Sequence, residues 1–214
     1  MFTIKQGDEY SSLREIKAGV PQGSILGHIL YLIYTRDIPV IRGVHTATYA
    51  DDTAILSVGK SQQESIAKLQ SACDEITNWA EKWKIKLNEQ KSLNINFTYK
   101  NIKEQIPINL NRVQVPFANT AKYLGMKLDT KIKWKEHVKK KRIELDMKYK
   151  EMKWIIGRKS NLPVHLKVLI YNQILKPVWL YGIQLWGCTK STNINVIQDF
   201  TTRFFAILLM HHGM

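Results

Sequence analysis

Two aspartates stand side by side in "YADDTAIL", residues 49–56, and of all the spacings in the chain this one could most directly do chemistry. Taken alone, Asp-Asp is a common surface dipeptide, and a solvated turn is the plain alternative. The flanking residues argue for more. Val44, Thr46 and Thr48 lead in and Ala54, Ile55, Leu56 and Val58 lead out, all acceptable in strands and many of them β-branched. The pattern predicts a hairpin with Asp51 and Asp52 at its tip. A regular strand sends successive side chains to opposite faces, whereas at a bend both carboxylates can approach one point. Such a tip suits a metal ion.

The elements that must carry this tip are legible on either side. "FTIKQGDEYSSLREI", Phe2 to Ile16, reads as a short hairpin turning at Gly7-Asp8. In "KAGVPQGSILGHILYLIY" the residues Gly19, Pro21 and Gly23 form a loop, and Ile25 to Tyr34, apolar almost all round, should be a buried helix. His28 then falls at a buried or half-buried position, and Tyr49 in the core or on a packing shelf. Ser61 and Glu64 make a capping box before Ile66, Leu69, Cys73, Ile76, Ala80 and Trp83, whose steps of three and four predict an amphipathic helix. Leu93 to Phe97, Ile106 to Val115 and Lys122 to Leu128 read as strands, the last interrupted by Gly125.

From Trp134 the character turns helical. "KWKEHVKKKRIELDMKYKEMKW" interleaves Lys139, Lys140, Lys141, Arg142 and other cations with Trp134, Tyr149 and Trp154. Such a run is either a solvated helix face or a surface that tracks phosphates with aromatic platforms. Two further helices are expected, Leu162 to Leu175, opening at Pro163 and stopping before Pro177, and Asn193 to Leu209. A domain boundary is placed near Asp129 to Lys133, dividing residues 1–130 from 131–214.

Charge narrows the partners. Among 214 residues, 32 Lys and Arg against 18 Asp and Glu give a net charge of +14, an excess typical of chains whose partners carry phosphate. No apolar run approaches the roughly 20 residues that a bilayer crossing needs, and the N-terminus lacks a secretory signal pattern. The chain therefore reads as intracellular and without a membrane partner. Cys73 and Cys188 are far apart and read as reduced thiols in packed positions.

"AGVPQGSILG", then "YADD", then "WAEKWKIKLNEQKS", then "KYLGMKLD" together resemble, in order and spacing, the reverse transcriptases of non-LTR retrotransposons. The tail "LKVLIYNQILKPVWLYGIQLWG" is similar to the region after the polymerase core in jockey-type elements. The resemblance implies an α+β fold: an incomplete polymerase palm, antiparallel sheet with helices, followed by a helical thumb. It implies that Asp51 and Asp52 hold Mg²⁺, or Mn²⁺, for two-metal nucleotidyl transfer. Gly19, Pro21, Gln22, Gly23 and Ser24 would lie against the incoming nucleotide and template, or else simply form a helix-entry loop. Lys91 would meet the leaving pyrophosphate, or be solvated. Tyr123, Leu124 and Gly125 match the primer-grip hairpin, or pack as an ordinary one. The implied partners are an RNA template, a DNA primer and deoxynucleoside triphosphates, in the nucleus and cytoplasm.

The departures carry equal weight. The family uses a third carboxylate from an earlier strand and a fingers region, and neither pattern is found here; Asp8 lies in a turn and does not match. The expectation is a fragment of an RNA-directed DNA polymerase, a degenerate copy or a partial gene model, that does not polymerise by itself. A basic nucleic-acid-binding remnant without catalysis, or a remnant with no task, remains open beside it.

Overall fold

The computed structural model describes residues 1–15, 19–20, 23–100 and 104–209. Pro21 and Gln22 of the glycine loop lie outside the described residues. The fold is α+β, with the strands confined to the first 129 residues and helix thereafter.

Four antiparallel hairpins supply all the named strands, each a separate two-stranded sheet. β1 (Lys5–Gln6) and β2 (Glu9–Tyr10) turn at Gly7-Asp8 and are extended by a bridge between Phe2 and Arg14. β3 (Val44–Tyr49) pairs with β4 (Asp52–Ser57) in full register from Val44 against Ser57 to Tyr49 against Asp52. The stretch expected to be one strand from Ile106 to Val115 is instead a hairpin of β5 (Ile108–Leu110) and β6 (Val113–Val115). Asn111 and Arg112 reverse the chain with φ of 50° and 62°, a turn that Asn tolerates well. β7 (Thr120–Tyr123) and β8 (Met126–Asp129) turn at Leu124-Gly125, where the sequence placed the interruption. Leu93 to Phe97 is not a strand. Asn94 alone bridges to Phe117, its N–H donating to Pro116 O at 2.9 Å, because no neighbouring edge is long enough to pair the rest.

Helix α2 (Gln62–Lys82) starts where its capping box predicts. The Ser61 hydroxyl accepts from Glu64 N–H at 3.2 Å, and the Glu64 carboxylate accepts in return from Lys60 N–H at 2.9 Å. Lys68 at 2.7 Å and the Lys60 amide hold the Glu64 carboxyl below its ordinary pKa. The buried face of α2 works in two directions. Ala72 and Ile76 pack with Ile41, Val44 and Ile55, while Ile66 and Cys73 pack with Ile108, Ile106 and Leu110. One helix thus carries both the acidic hairpin and β5–β6. Burial pushes the Cys73 thiol up to about 11, whereas Cys188 is exposed, against the packed position expected for it.

Helix α1 (Ile25–Tyr34) has the expected bounds and an unexpected environment. It buries no residue: Ile25 is 83% exposed and Leu32 67%. His28 and Tyr49 are exposed as well. An apolar helix is covered only if another element lies against it, and the acidic hairpin beside it has two strands, whose packed residues Val44 and Ile55 are engaged by α2. What holds α1 is polar. Tyr34 OH donates to Trp83 O, Tyr31 OH donates to Ala50 O, and the Asp37 carboxylate beyond the helix accepts from Trp79 Nε1 and Trp83 Nε1, each at 2.9 Å.

The helical region has the larger core. α3 (Lys135–Ile156), α4 (Val164–Ile170), α5 (Lys176–Leu180), α6 (Ile183–Trp186) and α7 (Ser191–Leu209) close around Leu145, Ile156, Leu175, Trp186, Phe200 and Phe204, all buried. Pro177 does not end the helix that begins at Val164, as the sequence suggested. A wide turn, Tyr171–Leu175, carries the chain into α5, with Lys176 N–H donating to Tyr171 O five residues back. A proline costs a helix one backbone donor and room at the preceding turn, and widening that turn accommodates it. Lys167, buried at the corner between α3 and α4, donates to Ser160 O at 2.9 Å and Gly157 O at 3.3 Å.

The joint between the two regions is closely hydrogen-bonded. The Asp129 carboxylate accepts from the N–H groups of Lys131, Lys133 and Trp134, and Trp134 takes a left-handed φ of 61° to begin α3. Met126 and Leu128 of β8 pack against the helical core, so the last hairpin goes with the helices in packing terms.

Candidate functional site

The acidic hairpin puts Ala50 and Asp51 in a two-residue turn and Asp52 at the first position of β4, paired with Tyr49. The reversal, which needs φ of 50° at Ala50, falls between Tyr49 and Asp52 and breaks strand alternation where the two acids sit. Both aspartates are exposed, and among the described residues neither carboxylate has a hydrogen-bond or ion-pair partner. The donor set is two hard carboxylate groups at one tip. That chemistry fits Mg²⁺ or Mn²⁺, which take one or two carboxylates and fill the remaining positions with phosphate and water. Among the described residues no cluster of three or more His, Cys, Asp or Glu completes a metal site from protein groups alone.

Around this tip the other expected site residues are dispersed. Gly19 and Gly23 have φ of 91° and 86°, values that glycine alone adopts without strain, and an added Cβ at either would meet nothing within 4 Å. At these two glycines it is backbone conformation, and not side-chain packing, that calls for glycine. Ser24 precedes α1 without a side-chain cap. Lys91 is exposed in the turn after α2, its N–H donating to Asn88 Oδ1 at 3.1 Å. Tyr123 and Leu124 are half-buried, and the turn carbonyl of Leu124 accepts from Tyr181 OH at 2.7 Å.

The basic helix divides its cations between two duties. Lys141 pairs with Glu144 at 2.9 Å. Arg142 makes a two-point contact with Asp146 at 3.0 and 3.1 Å, donates to Val196 O at 3.2 Å and lies over the Phe200 ring. Lys140 is 3.9 Å from Glu144, and Lys139 is exposed. Helical spacing sets Lys135, Lys139, Lys150 and Lys153 on one side of α3, all exposed. Of the three aromatics interleaved with these cations, Trp134 is buried and Tyr149 meets Phe200 and Phe204 edge-on. Trp154, at 79% exposure, is the one left available as a platform.

Sequence reading missed the residues that hold these parts. Asp37 is one. The two indole N–H groups, that of Trp79 foremost, hold its carboxyl below the ordinary carboxylate range. Tyr31, Tyr34, Tyr181 and His137 are others. His137 is buried, and its Nδ1 accepts from Lys127 N–H at 3.1 Å. The only advance signal was the spacing of Trp79 and Trp83, four apart and so on one face of α2.

The exposed acid pair at its hairpin tip lies within the part of the chain that matches a known family. Residues 1–128 match the family model described as reverse transcriptase (RNA-dependent DNA polymerase), and the chain belongs to that family. Its relatives are RNA-directed DNA polymerases of jockey-like non-LTR retrotransposons. It is 35% identical over 211 residues to the probable RNA-directed DNA polymerase from transposon BS of Drosophila melanogaster, covering 94% of this chain and 23% of that protein. It is 34% identical over 202 residues to the X-element polymerase of the same fly, with 92% and 22% covered. With the polymerase from mobile element jockey, also of D. melanogaster, it shares 35% over 206 residues, again 92% and 22%. The chain thus spans less than a quarter of the length of these relatives. No solved structure matches it. No helix among the described residues is long and apolar enough to cross a membrane.

Proposed function

We propose that this chain is the part of a jockey-like reverse transcriptase that holds the catalytic metal at Asp51 and Asp52 and grips the primer and template behind it. The observation that carries the reading is the acid pair at an exposed hairpin turn, inside a region that matches the reverse transcriptase family. Residues 1–130 serve as the palm and 131–214 as the thumb, with β7–β8 docked on the thumb side. Bound Mg²⁺ or Mn²⁺ supplies a Lewis acid for the attacking hydroxyl and the leaving phosphate. The protein groups orient what surrounds it: the loop from Gly19 to Ser24 lies along the nucleotide and template, Lys91 faces the pyrophosphate, and Tyr123 to Gly125 touch the primer. Exposed lysines on α3, Lys139 with Lys135, Lys150 and Lys153, follow the phosphates of an RNA template and DNA primer. Lys140 faces further round the helix, off that row, and Lys141 and Arg142 shape the helix that presents it.

The test is primer extension on an RNA template. The 214-residue chain, with only two carboxylates at the tip, is expected not to extend a primer in Mg²⁺ or Mn²⁺. Joined to the upstream segment of an active relative, it should extend. Asp51→Asn or Asp52→Asn in that chimera should lower the rate by about 10³-fold, since an amide is a poor substitute for an anionic ligand. A chimera indifferent to both changes would remove the metal reading. A chimera that binds hybrid duplex and never extends it would favour the second reading, a basic nucleic-acid-binding module, which the exposed lysine row supports independently.

A further inference from the structure

We infer that Tyr181 is a positioning residue for the turn Leu124-Gly125, and that the bend it belongs to locks this turn in the shape that meets the primer. The inference rests on the proposed reading of the turn as a primer contact. Tyr181 lies outside residues 1–128, the span matched by the family model, so on this inference the helical region supplies a piece of the working site and is more than a scaffold after it.

The turn needs an external hold. Both of its residues have left-handed backbone, with φ of 45° at Leu124 and 76° at Gly125. Glycine accepts this freely, whereas leucine does not, and a branched residue in that region persists only when its surroundings enforce it. Tyr181 does so in two ways. Its hydroxyl donates to the Leu124 carbonyl at 2.7 Å. A Cβ added at Gly125 would stand 3.4 Å from Cε1 of the Tyr181 ring, so the ring closes over the second turn residue.

The bend that carries Tyr181 is itself fixed. Trp186, buried in the helical core, donates its indole N–H to Tyr181 O at 3.0 Å. Gly182 takes φ of 69°, and a Cβ there would fall 2.8 Å from Met126 Sδ, so a side chain at this position would both strain the backbone and press on the Met126 side chain of β8. On β8 the Lys127 N–H donates to His137 Nδ1 from α3. Side chains of the helical region thus bond the hairpin's backbone at two points, the Tyr181 hydroxyl at its turn and the His137 ring at Lys127.

Two measurements on the 214-residue chain test this. The first is hydrogen exchange in peptides covering 120–129. Tyr181→Phe, which removes one hydroxyl, should raise exchange there about three- to tenfold while leaving α2 unchanged. Gly182→Ala, which pushes the bend off Met126 without touching the hydroxyl, should do the same. The second is binding of an RNA–DNA hybrid with a recessed primer 3′ end against a blunt hybrid. The native chain should prefer the recessed end, and both variants should lose that preference with the salt dependence of overall binding unchanged. Unaltered exchange in Tyr181→Phe overturns the clamp. Raised exchange with the end preference intact overturns the positioning role. A native chain without an end preference refutes the primer-contact reading of the turn and with it the primer role of Tyr181, while the exchange result still decides whether the clamp exists.

Discussion

The turns Ala50-Asp51 and Leu124-Gly125 are built alike, each a two-residue loop that forces a residue with a Cβ into left-handed backbone, yet they are kept in very different ways. The acidic turn projects into solvent, with the Tyr31 hydroxyl on the Ala50 carbonyl as its side-chain tether. Tyr31 itself belongs to α1, the helix that buries none of its own residues. The other turn is followed by Met126 and Leu128, which pack against the helical core, and its hairpin is held by Tyr181, Gly182 and His137. On the proposed reading, the residues that would hold the metal thus stand on the less covered part of the molecule, and those that would meet the primer stand beside the better packed part. A metal tip must present its oxygens to phosphate and water. A grip must keep its shape under load, so it needs packing behind it.

That contrast can be broken by substitution. Trp186→Ala should cost about 3–5 kcal/mol of stability in chemical denaturation, because it empties a fully enclosed site and releases the Tyr181 carbonyl. A loss below 1 kcal/mol would mean that the helical core is looser than its burial implies. Replacing Lys139, Lys150 and Lys153 together by Gln should flatten log affinity for hybrid duplex against log salt by about 0.7–0.9 for each phosphate no longer neutralised. Replacing Lys141 and Arg142 should instead lower stability with little effect on that slope, since both are engaged within the fold. An equal change of slope from both sets would erase the division of duties along α3.

The pH dependence sharpens the same point. Burial, with Lys141 adding to it, Glu144 opposing and Lys140 adding again, holds the His137 imidazole below its ordinary pKa. The unfolded chain therefore takes up this proton first, at about pH 6.5, and the stability that neutral His137 contributes is complete above that value and declines as pH falls below it. Urea midpoints should drop between pH 7.5 and 5.5. His137→Asn, whose side-chain oxygen can accept from Lys127 N–H without titrating, should remove that part of the drop, and an unchanged pH profile would show that His137 is not its source. The smallest effect belongs to α1: Leu32→Ala should change stability by no more than about 0.5 kcal/mol, as for an exposed side chain. A loss of 2 kcal/mol would place α1 in a core.

Much of this molecule follows from local order along the chain. The bounds of α1, the capped start of α2, the acidic hairpin with its turn at Ala50-Asp51 and the hairpin broken at Gly125 are all set by residues within a few positions of one another: glycines where φ is positive, Ser61 and Glu64 at a helix start, β-branched residues beside a bend. The family itself is legible for the same reason, since its motifs are short and contiguous. Tertiary structure alone decided the rest. Whether an apolar helix is buried depends on whether another element is present to cover it, and Ile25 to Tyr34 carries no record of that. Whether Pro177 ends a helix depends on whether the preceding turn can widen against Phe204, with which Tyr171 stacks. Asp37 reaches Trp79 and Trp83 across 42 and 46 residues, and Tyr181 reaches Leu124 across 57. Such pairs leave no period in the sequence, because hydrogen bonds between distant segments are selected by packing of the whole chain and not by the spacing of neighbours.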